Sequence, residues 1–581
     1  MIQKSVIQLN YEKRKNTKLF EQFRDSNIND FVDIQNYIPI YSKFFELNDT
    51  NYNSFNLNHN IYLNEISKSD DSTIIYKLKN NNTEIVNQNV FIKYAPVLDP
   101  FKYFIGKYNF SINDCILPKN IQDDIHPDLA SKLYDVNNSA YVDGFFSYLS
   151  SEILNKYGFI HGIEFYGMYF GIKKDFKVNV LDDIDYLCKS DYFNTNNGIL
   201  FSVEDYTIAS EHTDKLPKIH IDHTKKANIS ANSIKDNLFE DIFDLNTEDN
   251  TFLTLEELDD DIFALDTINH TTSLKSTTTC SSRTSFTLTE SDSDSESESE
   301  SESISDNDSG SLNSNSNSNC SYSQSDDEKP IFATIPKFPV NVICLEKCED
   351  TLDNLIINDG IKTIDEWFAL LMQIIMTLIS YQKCFSFTHN DLHTNNIMYN
   401  NTEDKFLYYC YNNKYYKVPT YGRIFKIIDF GRSIYKMNNR TFCSDSFKKG
   451  EDAATQYNIE PYFNDKKPRI EPNYSFDLCR LACSIFDYIV EDIGDLQNID
   501  KCSPIVKLIV EWCLDDNGLN VLYKSNGDER YEEFKLYKMI ARSVHNHTPQ
   551  NQLERPEFSK FCINKKKIPN SCMNIDLMPI C

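Results

Sequence analysis

Phe387–Tyr399, FTHNDLHTNNIMY, is the stretch on which the reading of this chain turns. It places Asp391 and Asn396 five positions apart among residues that are otherwise apolar or small and polar. Before it runs FALLMQIIMTLIS at 368–380, shorter than the roughly 20 apolar residues a bilayer crossing takes, so it reads as a buried helix and no membrane span is expected. Thr363 and Asp365 can cap that helix, which the pattern extends over 364–383. After the stretch, KFLYYCYNNKYYKVPT at 405–420 alternates aromatic residues around Asn412-Asn413, a dipeptide that tolerates tight hairpin turns. IFKIIDF at 424–430 reads as a buried strand, and SFDLCRLACSIFDYIV opens a mainly helical remainder.

Upstream, residues 1–55 are polar and Asn-rich and read as an N-terminal extension. Between 61 and 95 short β-rich runs, IYLNEI, STIIYKLK and NVFIKYA, are parted by Asn/Asp/Ser clusters, a pattern of antiparallel strands. The helical spacing of Phe145, Phe146, Leu149, Ile153 and Leu154 predicts a helix over 139–158, and IEFYGMYFGIKK follows as strand. Residues 205–330 carry SDSDSESESESES and SNSNSNSN, too polar to offset the entropy of ordering, and read as a disordered insertion. Within it, 239–265 is an acidic-hydrophobic patch with the pattern of a transient helix. Order resumes at 339–352, PVNVICLEKCEDTL, a strand running into a polar turn. The expected layout is an α+β chain: an extension (1–55), a small β-rich part (56–204), the insertion (205–330), its last strand (331–345), a helical body (346–565) and a tail (566–581).

The net charge of −29 is uneven, with nine acids and no base between Glu290 and Asp308. Without clustered basic residues a nucleic-acid surface is not expected. The 16 cysteines form no CxxC pair and the N-terminus lacks a signal-peptide core, so reduced thiols and a cytoplasmic location are expected. The acidic serine run is read as a solvated linker that also suits phosphorylation. Oligomeric state is left open by the sequence.

Three polar elements fall at the joints of this layout: Lys93 ending VFIK, Asp391 and Asn396, and Asp429 of Asp-Phe-Gly. Phosphoryl transfer asks for these groups. A lysine neutralises the phosphates that stay behind, hard oxygen ligands hold Mg²⁺, and a carboxylate takes the proton of the acceptor hydroxyl.

In these motifs the chain resembles the protein-kinase superfamily over roughly 60–170 and 339–560, and is similar in particular to divergent kinases of giant DNA viruses. The resemblance implies a bilobal kinase-like fold, ATP and Mg²⁺ as cofactors, and a protein Ser/Thr hydroxyl as acceptor. It implies Asp391 as catalytic base and Asn396 and Asp429 as metal ligands. Lys93 would grip phosphate, held by a helix acid for which Glu152 is preferred to Asp143. Glu346–Cys348 would be the hinge that meets adenine, with Leu345 as gatekeeper, Asp477 would anchor the loop, and Arg555-Pro556 would lie near the end of the fold. A viral origin would place the protein in host cytoplasm or virion.

The chain departs from the family pattern in several places. No glycine precedes Gly106, so SKSDDS at 67–72 stands where a glycine-rich phosphate loop belongs. Asn390 replaces the usual arginine, His393 replaces a lysine, and no Ala-Pro-Glu closes the segment after Asp429. His389 and His393 read as structural, and Ser433 and the Ser/Thr of 440–446 as candidate phosphosites. A pseudokinase scaffold and a small-molecule kinase of the Asp-Leu-His type stay open beside the protein kinase.

Overall fold

The computed structural model describes residues 7–57, 61–68, 74–80, 85–87, 89–120, 125–203, 330–490, 498–524, 527–531, 534–565, 568–569 and 571–580. The acidic insertion, with its helix expected at 239–265, lies outside the described residues except for Pro330, and so does most of SKSDDS. What is described is a mixed α+β structure.

Lys93 lies on the strand Val90–Pro96, at one edge of an antiparallel sheet. Its neighbour is the long strand Phe332–Glu346, in register Lys93 to Ile343, and beyond that comes Phe165–Asn179. The chain therefore leaves the sheet for the insertion between two strands that lie side by side. VNVICL is buried on both faces, which is why it reads as a continuous apolar run.

The first departure from expectation is at the N-terminus. In its described residues, 7–55, the expected extension is part of the fold: Phe31–Gln35 pairs with the strand Phe165–Asn179 and forms the other edge of the same sheet. The helix Thr17–Arg24 buries Leu19, Phe20 and Phe23, an apolar stripe that its Asn-rich surroundings disguise in the sequence. Ile61–Lys68 and Ile74–Asn80 pair as a hairpin, with Ile85–Asn87 added at its side.

Asn138 caps the helix Ser139–Tyr157 and Gly158, at φ 64°, ends it. Nearly all of its residues from Ala140 to Ile153 are buried, because it packs on the sheet with one face and on the C-terminal half with another. Gly144 permits the close approach to the sheet. A Cβ there would stand 2.2 Å from Met168 Sδ and 2.9 Å from Asn341 Nδ2. On the other face the Phe146 ring lies 4.3 Å from Phe387 and 4.7 Å from Phe430, so one aromatic cluster joins this helix to both segments of interest.

The central helix runs Ile364–Phe385, capped by Thr363, and is long and apolar enough to cross a membrane by composition. Here its apolar residues are core: it is buried over almost its whole length by its own fold. The hairpin forms at Phe406–Tyr411 and Lys414–Pro419, with Asn412 and Asn413 both left-handed at φ 50° and 58°, as a type I′ turn requires. The tail expected at 566–581 also takes part, in its described residues. Met573–Asn574 pairs in parallel with the hairpin, and Asp576 accepts from the Asn412 and Asn413 amides over 2.8 and 2.9 Å.

Candidate active site

The loop 386–396 starts where the central helix stops, at Ser386 in the left-handed conformation. Asp477, wholly buried at the start of the helix Phe476–Ile489, accepts from the backbone amides of His389 and Asn390, each over 2.9 Å. Burial raises its pKa, and these two bonds oppose that. Asn390 sits at φ 64°, a conformation Asn adopts at lower cost than most residues. Its amide donates to the Arg432 carbonyl over 2.9 Å, and its oxygen accepts from Tyr457. His389 accepts from the Asp391 amide at Nδ1, so Nε2 carries the proton given to the Ile428 carbonyl. His389 and His393 thus serve the loop's own hydrogen bonding.

Asn396 spends both amide hydrogens within the loop, on the Asp391 carbonyl over 2.9 Å and on His393 Nε2 over 3.1 Å. What it has left to offer is oxygen, the atom a hard cation takes. Burial drives His393 down to about 4, so at neutral pH it is an uncharged acceptor.

Asp429 ends the strand Arg423–Ile427 at φ 63°, a turn that sets its carboxylate on Lys93 Nζ at 2.9 Å. Lys93 also meets Asp143 at 2.7 Å, and Asp143 accepts from the Phe430 amide over 2.9 Å. Burial works against the ammonium, yet the two carboxylates outweigh it and raise the Lys93 pKa. Burial likewise raises that of Asp143.

The acid paired with Lys93 is therefore Asp143, and the preference for Glu152 is corrected. Glu152 lies more than two helical turns further on, where it pairs with Lys156 and accepts from Asn10. Gly144, beside Asp143, is the point of closest approach to the sheet, and that proximity decides which acid reaches the lysine.

The Glu346 carboxylate is committed to Lys426 at 2.5 Å, the Glu164 amide at 2.8 Å and Asn400 at 2.8 Å. Its side chain cross-links the sheet to two paired strands that follow the loop, Ile397–Asn401 and Arg423–Ile427. The Cys348 thiol is buried, which pushes its pKa up to about 12. Arg555 forms a two-point pair with Glu511.

Several groups at the site were not foreseen. Arg432, directly after Asp-Phe-Gly, is buried with Nε 3.8 Å from Asp391 Oδ2 and its terminal nitrogen on Asp452. It thus joins the Asp391 and Asp452 carboxylates from a position after Gly431. Tyr537, on the helix Phe534–Ser543, donates to Asp391 Oδ1 over 2.7 Å and accepts from Arg480 Nε over 2.9 Å. Burial disfavours the Asp391 anion, but Arg432, His393, Arg480 and the Tyr537 hydroxyl more than offset this, and its pKa is lowered. No periodicity or motif marks Tyr537 in the sequence.

Of the candidate phosphosites, Ser433, Ser444 and Ser446 are buried, whereas Thr441 is exposed. Between Ser444 and Ser446, Asp445 accepts from the Ser139 amide at the helix N-terminus over 2.8 Å and meets Lys132 at 3.2 Å. A carboxylate already occupies that end of the helix, where negative charge is favoured.

Among the described residues no three His, Cys, Asp or Glu side chains form a closed metal cage. The donors at hand, Asp429 and the Asn396 oxygen, suit a cation that takes its other ligands from water and phosphate. A cavity of about 610 Å³ lies elsewhere, among Tyr11, Phe44, Phe45, Phe55 and Asn438. No family model matches the chain, and no curated protein matches it.

Proposed function

We propose that the chain is a divergent member of the protein-kinase superfamily, with a bilobal kinase-like fold, that transfers the γ-phosphoryl group of ATP to a protein serine or threonine. The observation that supports this best is the convergence of Lys93, Asp143 and Asp429 within 2.9 Å, from three distant segments. Beside it stands the Asp391–Asn396 loop held by Asp477. A buried lysine between two carboxylates is costly unless it has work to do, since desolvation consumes most of the pairing energy.

In this reading Asp391 orients the acceptor hydroxyl and takes its proton as that oxygen bonds to the γ-phosphorus and the bond to ADP breaks. Lys93, steadied by Asp143, neutralises the phosphates that remain with the nucleotide. Asp429 and Asn396 would hold Mg²⁺, which supplies charge neutralisation at the transferred group. The lowered pKa of Asp391 keeps it ionised and ready as an acceptor at neutral pH.

A second reading, a scaffold without transfer activity, is favoured by the burial of Asp391 beneath Tyr537. Two measurements on the full chain separate them. A melting shift with millimolar Mg-ATP, lost in Asp429→Asn, is expected. So is radiolabel transfer from ATP to casein or histone, lost in Asp391→Asn. Absence of any nucleotide shift in the wild type would leave the scaffold standing.

A further inference from the structure

Asp391, the base of the proposed reaction, is 2% exposed, and so is Tyr537. The Tyr537 hydroxyl lies 2.7 Å from Asp391 Oδ1 with its proton directed at the carboxylate. An acceptor hydroxyl must come within about 2.6–3.2 Å of its general base, so Tyr537 already stands where that group has to be. Two hydroxyls cannot share Oδ1 in that geometry, and with the residue 2% exposed Oδ2 is closed to an acceptor from outside as well.

We propose that Tyr537 is an internal stand-in for the acceptor, and that the helix Phe534–Ser543 closes the site until it is displaced. This rests on the phosphotransferase reading above and adds to it how that site is regulated. The surroundings of the hydroxyl support the assignment. Arg480 donates to it from the far side over 2.9 Å, while Arg432 lies over the Phe534 ring at 4.8 Å. Asp391 Oδ2 is buried without a hydrogen-bond partner. A carboxylate built only to secure a helix would be hydrogen-bonded at both oxygens; this one has a hydroxyl on Oδ1 and at Oδ2 only the 3.8 Å approach of Arg432 Nε.

The helix is attached unevenly. Its C-terminal end is tied down by the Ser543 carbonyl accepting from the Asp516 amide over 2.7 Å and by Arg542 on the Thr455 carbonyl over 3.0 Å. Of its ten residues only Tyr537, Ile540 and Ala541 are buried. Lifting the first turn uncovers Asp391 together with Arg432, Arg480 and Phe476, which the Phe534 and Tyr537 rings now cover, and leaves the C-terminal anchors in place. Arg480 would then face the incoming acceptor and give it the hydrogen bond it now gives to Tyr537.

The test uses the full chain, casein as acceptor and radiolabelled Mg-ATP. Tyr537→Ala empties the position, whereas Tyr537→Phe keeps the ring packing and removes only the hydroxyl. A hydrogen bond to a charged group corresponds to about tenfold or more in an equilibrium. We expect kcat/KM for casein to rise by about that factor in Tyr537→Phe and further in Tyr537→Ala, with KM for ATP unchanged. The Phe variant keeps the test open if the Ala variant does not fold. Equal transfer by wild type and variants, or a fall in transfer by folded variants, would overturn the stand-in while leaving the phosphotransferase reading intact. Nucleotide binding without transfer in any variant also overturns it, because an emptied site should work. Absence of a Mg-ATP melting shift would overturn both.

Discussion

Lys93 lies between Asp143 and Asp429, and three buried charges at such separations make each residue answerable to the others. Removing the lysine alone would leave two carboxylates facing each other without a counter-charge. Lys93→Met is therefore expected to destabilise the fold by about 3–5 kcal/mol as well as abolish nucleotide binding, to be read by chemical denaturation. The two helix acids should separate cleanly. Asp143→Asn should lower transfer at least about a hundredfold, whereas Glu152→Gln should leave it within about threefold, since Glu152 serves Lys156 and Asn10. Comparable losses in the two variants would refute the assignment of Asp143. Asn390 and Asp429 each hold a left-handed backbone, so the two segments that carry the proposed chemistry are also places of stored strain.

At the scale of elements, the helix Ser139–Tyr157 is the part that brings these residues together. It delivers Asp143 to the sheet side and Phe146 to the aromatic cluster, and Asp445 sits at its N-terminus. Its placement depends on Gly144. Gly144→Ala puts a methyl group against Met168 and Asn341, and if the helix retreats, Asp143 withdraws from Lys93. A loss of about 1–3 kcal/mol in stability is expected, together with weaker Mg-ATP binding in the same variant. Unchanged nucleotide affinity would show that the side chain of Met168 gives way instead. The periods of the main elements are plain in the sequence: the central helix, the Asn-Asn hairpin and the strand before Asp429 all form where patterning places them. The strand Phe31–Gln35 was hidden because only five residues alternate within a polar context, and an edge strand needs no more.

At the scale of the whole molecule, His161 holds distant parts together. Its Nδ1 meets the Phe425 carbonyl and its Nε2 the Tyr409 hydroxyl, each at 2.7 Å. Burial drives its pKa down to about 4, as it does for His393. The unfolded chain takes protons below about pH 6.5 that the folded chain refuses until about pH 4, so this stabilisation falls as the pH drops through that window. Each histidine should account for roughly 3 kcal/mol by pH 4. Asp99, raised by burial to about 6, acts with the opposite sign in part of the same range. The informative quantity is thus the difference between wild type and His161→Gln: the variant's denaturation midpoint should fall less between pH 6.5 and 4.5. Parallel curves would remove His161 from the account. The C-terminal residues belong to the fold for a similar reason, since Asp576 answers two turn amides of the hairpin.

What the sequence determined by itself is local: the periods of helices and strands, the turn chemistry at Asn412-Asn413, and the groups that make phosphoryl transfer the leading proposal. Lys93, Asp391, Asn396, Asp429 and Asp477 stand in recognisable spacings because a loop or strand end dictates its own residues. Partnership across the chain was decided only by the tertiary structure. Asp143 and Glu152 share one helix, and nothing in its periodicity says which of them meets Lys93; the distance between helix and sheet at Gly144 does. Tyr537 lies 146 residues from Asp391 and reaches it because Arg480 and the start of the helix Phe534–Ser543 converge on the loop. Burial and the partners packed beside it, which cannot be read from a residue's neighbours in sequence, then shift Lys93, Asp143, Asp391 and His393 away from their ordinary pKa values.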